Sequence, residues 1–74
     1  MVKIRNIIDH GNTVSMDCLK EGDSSREFKL VISREGDILD GPEQDMYSSQ
    51  ARARIWDLLR SGKQLPSETS AYWA

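Results

Sequence analysis

Four groups of side chains in this sequence are of types that can do chemistry: Cys18, His10 beside Asp9, the acidic run from Glu35 to Asp45, and Arg52, Arg54 and Arg60 around Trp56. A thiol attacks as its thiolate, which needs a lowered pKa or a base at hand. Cys18 alternates with Val14 and Met16 on the apolar side of a strand pattern, and the single histidine lies in a turn well away from it in register. It therefore reads as a core residue. His10 would need more donors than Asp9 to hold a metal, so it reads as a solvated turn. The acidic run offers oxygens, but it lacks the Asp-x-Asp-x-Asp-Gly spacing of a calcium loop and contains Pro42. It reads as a solvated loop feeding a helix.

No Gly-rich phosphate loop, Cys-x-x-Cys pair, Ser-His-Asp set or His-Glu-x-x-His helix is present. The expectation is a protein without catalytic residues, bound metal or cofactor, and so not an enzyme. Arg52, Arg54, Arg60 and Lys63, with Trp56 among them, form the one arrangement that could meet a nucleic-acid phosphate and base. Asp57 interrupts them, they point in different directions around the helix, and a net charge of −2 supplies no field for a phosphate backbone. Nucleic acid is thus the disfavoured alternative partner.

The arginines sit on the only convincing helix, about residues 47–61. At 3.6 residues per turn, Ser48, Ala51, Ile55, Leu58, Leu59 and Gly62 share a face that wants a sheet beneath it. Asp45 or Ser48 can cap its start, and Gly62 suits the left-handed position after its last turn. Acidic residues before the helix and Arg60 and Lys63 at its end complement its dipole.

The sheet comes from four β-patterned stretches at about 2–9, 13–19, 27–33 and 37–40. Alternation puts Val2, Ile4 and Ile8 on one face of the first, with Ile7 on the other. A two-residue Gly11-Asn12 turn would set Asp9 against Val14 and mix the polar and apolar faces. A three-residue loop with Asn12 left-handed instead pairs Ile8 with Val14 and Ile4 with Cys18, leaving Asn6 awkwardly beside Met16. Phe28, Leu30 and Ile32 alternate most clearly, marking a central strand. The short stretch through Ile38 and Leu39 reads as an edge, with Leu39 beside Ile32.

At 74 residues the chain has room for a single domain, and its stability margin is thin. One cysteine rules out an internal disulfide, and no run approaches the roughly 18 apolar residues of a membrane span. With no apolar leader at its start, the chain is expected to be cytoplasmic.

Residues 64–74 form an extended tail ending in Tyr72, Trp73 and Ala74. Tyr47 and Trp56 flank the apolar face of the helix, and either the tail folds back on them or it docks elsewhere. The expected fold is α+β: an antiparallel meander of three to four strands, one C-terminal helix on one face, and the extended tail. No motif points to a named family. The expected role is that of a non-enzymatic interaction module, a small accessory or regulatory protein of a bacterium. It would meet a protein partner or a second copy of itself through Ile38 and Leu39, an exposed Ile7 and Val31 face, or the aromatic residues Tyr47, Trp56, Tyr72 and Trp73.

Overall fold

The computed structural model describes Met1–Trp73. Its elements are β1 (Val2–Asp9), β2 (Thr13–Lys20), a 3-10 turn (Ser24–Arg26), β3 (Glu27–Ser33), β4 (Ile38–Asp40), α1 (Met46–Arg60) and β5 (Thr69–Ala71). The strands make one antiparallel sheet in the order β4-β3-β2-β1-β5, and α1 packs on one face, over β1 and β5 and less over β2. The class is α+β, with a five-stranded sheet in place of a three- or four-stranded one. The additional strand is part of the tail: Thr69, Ser70 and Ala71 pair with Ile4, Lys3 and Val2. A hairpin meander leaves the free side of β1 open, and backbone N–H and C=O groups there need partners. The returning tail supplies them.

The apolar core forms where alternating strands meet the helix stripe. Val2, Ile4, Val14, Met16, Cys18, Leu30, Ile32, Ala51, Ile55 and Ala71 make one buried cluster, with Leu58 and Leu59 packed at its margin. Ser48 is fully buried but satisfied, because it belongs to the helix cap. Asp45 is the N-cap: its carboxylate accepts from the Ser48 backbone N–H at 2.9 Å, and the Ser48 hydroxyl accepts from the Asp45 N–H at 2.9 Å. Gly62 ends the helix at φ +72°.

The first hairpin follows the two-residue-turn register near its turn and the three-residue-loop register beyond it. Near the turn Asp9 lies opposite Val14 and Ile8 opposite Ser15, with Gly11, not Asn12, at positive φ. Further along, Arg5 lies opposite Asp17 and Ile4 opposite Cys18. The change of register falls between Arg5 and Ile8, so Asn6 and Ile7 together face Met16 across a β-bulge. Asn6 takes the left-handed conformation the bulge requires, at φ +53°, and its Nδ2 donates to Asp17 at 2.8 Å. One extra residue flips everything after it. Ile7 therefore packs against the core, contrary to the expectation that it lies on the open face, and Ile8 takes that place at 52% exposure.

At the other edge Ile38, not Leu39, pairs with Ile32, and a further irregularity before Val31–Asp40 leaves Leu39 outside the ladder at 57% exposure. Arg34 ties the two hairpin turns together. It donates to both Asp9 oxygens, at 2.8 and 3.0 Å, and to the Gly11 carbonyl. That fork holds the Asp9 carboxyl down at about 2.

Candidate functional site

Of the residues whose types can do chemistry, Cys18 is sealed in the core and His10 lies on the surface. Burial pushes the Cys18 thiol up to about 12, so at neutral pH it is a protonated core side chain. His10 exchanges a 2.8 Å hydrogen bond with the Ser15 hydroxyl on the exposed hairpin. Among the described residues, no three of His, Cys, Asp and Glu converge as a metal would require.

The helix arginines do not form a common surface. Arg52 donates through Nε to the Gly36 carbonyl and lies over the Trp56 ring, 5.0 Å from its centre. Arg60 covers the same ring at 4.3 Å and bonds to Asp57. Two guanidinium groups thus lie against Trp56, an arrangement favoured by the negative face of the indole. Trp56 also packs on the β3–β4 turn: a Cβ placed on Gly36 would come within 3.0 Å of the indole. Arg54 points elsewhere and donates to the Thr69 hydroxyl at 3.2 Å. Lys63 lies past the helix end, beside a shallow cleft lined by Ile7, Arg34 and Leu65.

The aromatic tail separates into two roles. Trp73 meets Tyr47 edge to face, with centroids 5.5 Å apart, and Lys20 and Arg26 lie over the Tyr47 ring at 5.4 and 5.6 Å. Tyr72 faces the other way and is 74% exposed, the most open of the large apolar side chains. Strand alternation explains the split. Ala71 pairs with the core residue Val2, so residues 69, 71 and 73 face the helix, while Ser70 and Tyr72 face outward.

The surface brought together around Tyr72 has three parts. β5 is bonded to β1 along one side and ends the sheet order, so among the described residues its other side is a free edge. Above that edge runs the flank of α1 made by Gln50, Ala53, Arg54 and Asp57. Between them lies a groove of about 440 Å³ that also reaches Ser70, Ala71 and Tyr72. The helix flank was not apparent as a site in the sequence, because four polar or small residues on the solvent side of a helix look the same whether or not a strand edge lies below them. The remaining candidates are dispersed. Val31 and Ile8 share a row of the open sheet face with Ser15 and Asp40, while Ile38 packs on the core.

No family model matches the chain, and no curated protein or solved structure resembles it closely enough to lend it a function.

Proposed function

We propose that this protein is a non-enzymatic interaction module and that its working surface is the C-terminal edge: β5, the flank of α1 beside it, and Tyr72. The observation that carries the reading is the pairing of an open strand edge with an exposed tyrosine at its end. A free edge offers a row of backbone donors and acceptors to an incoming strand, and tyrosine is among the residues that most often anchor a protein interface. β4, the other edge, is less suited. It carries an irregularity, and Asp40 places a carboxylate within the strand itself, devices that discourage strand addition.

The test is a photo-reactive amino acid placed at Tyr72, with matched variants at Ile8 and Leu39, in the native host. A discrete cross-linked adduct from position 72, absent from the other two, is expected. No adduct from position 72, or an identical adduct from Leu39, would remove the basis for choosing this edge.

A further inference from the structure

The β5 edge and the helix flank above it share a property that a binding groove for an unrelated partner does not need: they are complementary to themselves. We infer that the occupant is a second copy of this chain, with β5 pairing antiparallel to β5 about a two-fold axis at Ser70, so that the two five-stranded sheets become one. This rests on the reading of the C-terminal edge as the working surface.

A two-fold interface requires each patch to match its own image. Gln50, Ala53, Arg54 and Asp57 are spaced i, i+3, i+4 and i+7, so they form a single stripe along α1. Turned end for end, the stripe sets Gln50 opposite Asp57 of the second copy and Ala53 opposite Arg54. Arg54 then reaches the second copy's Asp57, and the reverse pair forms by symmetry. The stripe thus carries one cation, one anion and a small residue near its middle. Among the described residues, Arg54 donates within its own chain only through Nε, and Asp57 accepts through one oxygen, so both keep capacity for a partner.

The position of the axis is set twice, independently. Tyr47 lies against Trp73 and Arg54 against Thr69, so α1 runs antiparallel to β5 with Arg52 to Arg54 passing over Ser70 and Thr69. The middle of the helix stripe and the middle of the strand therefore fall within about 3 Å of one axis. The spacing also fits. With α1 seated over β1 and β5, and strands about 4.8 Å apart, the two helices would stand about 10 Å from one another. That is within the range of packed helices, and the small Ala53 at the crossing allows it. Thr69, Ser70 and Ala71 pair with β1 in unbroken register and carry no charge, so nothing on the edge itself opposes a second strand.

Sedimentation velocity over a dilution series tests the pairing. A reversible dimer is expected. Arg54→Asp and Asp57→Arg, each placing like charges together, are each expected to weaken it about tenfold, whereas the double exchange restores it. Both side chains are at the helix surface, and circular dichroism checks that the variants stay folded. Ser70→Cys is expected to form an intermolecular disulfide on mild oxidation, since facing residues of antiparallel strands lie about 4.5–5.5 Å apart. Leu39→Cys should not. A folded protein that stays monomeric throughout the series overturns the inference, as does a dimer that ignores the charge exchange and cross-links through Leu39→Cys. A monomer whose position 72 still cross-links to a different protein overturns the second copy but leaves the interaction reading intact. Loss of every adduct from position 72 overturns both.

Discussion

Replacing Asn6 tests the bulge that decides which isoleucine is core. Asn6→Val puts a β-branched residue at φ +53°, where the left-handed conformation costs about 1–2 kcal/mol for an ordinary side chain. It also removes the donor to Asp17, an exposed hydrogen bond worth about 1 kcal/mol. The combined loss of about 2–3 kcal/mol corresponds to a fall in Tm of roughly 10–20 °C for a chain of this size. Deleting Asn6 outright should do less harm. Ile4 faces in, Arg5 out, Ile7 in and Ile8 out, so removing the extra residue leaves an unbroken alternation against Met16 and Ser15. The deletion is expected to cost about 1 kcal/mol, mainly the hydrogen bond, and Asn6→Gly about the same. Thermal unfolding followed by circular dichroism ranks the three. NMR titration adds a second readout: Asn6 is the first cause of the lowered Asp17 pKa, so that pKa should rise in every variant. A deletion variant that unfolds, or an Asn6→Val protein as stable as its parent, would refute the bulge as the device that sets the face.

Trp73→Ala should lower Tm by roughly 5–15 °C, through lost burial and a lost edge-to-face contact. A double-mutant cycle with Tyr47→Ala should show coupling of about 0.5–1.5 kcal/mol; additive effects would mean the two rings do not support one another. Gly36→Ala should destabilise by about 1–3 kcal/mol, since the residue sits at φ +93° with the indole of Trp56 against it. Tryptophan fluorescence should shift as that ring is displaced. The carboxyls of Asp9, Asp17, Asp23 and Asp45 are all held below their usual range. Their contribution is present above the unfolded pKa near 4 and lost as pH falls through the folded values. Stability should therefore be level from neutrality to about pH 5 and decline toward pH 2; chemical denaturation at each pH checks the sign. Cys18 should resist a thiol reagent at neutral pH until the protein unfolds, so rapid labelling of the native state would contradict its burial.

The helix is legible in the sequence because a period of 3.6 and an Asp45–Ser48 cap agree with one another, and both are local. The strand from Phe28 to Ile32 is legible for the same reason. β5 is not: of its three residues only Thr69 favours a strand, and they become one because β1 offers an unpaired edge and Trp73 an anchor beyond them. Alternation misplaces Ile7 because a period-two pattern cannot register an inserted residue. Asn6 opposite Met16, the one misfit in the sequence register, marks the place where it enters. The site around β5 is hidden for a related reason. Gln50, Ala53, Arg54 and Asp57 form an ordinary solvated face until a strand far along the chain is laid beneath them.

The pairing of β5 with β1 joins Val2–Ile4 to Thr69–Ala71, the longest sequence separation of any strand pair in the sheet. During synthesis β1 emerges before β5, and its outer hydrogen-bonding groups wait until that later segment has been made. Contacts of such long sequence separation close slowly, so β1 stands open after the local folding of the hairpins is complete. A chain stopped before Thr69 would retain every other strand and the helix, yet present β1 as an edge in place of β5. Loss of β5 should thus exchange a three-residue edge for the longer edge of β1, one more prone to indiscriminate strand addition.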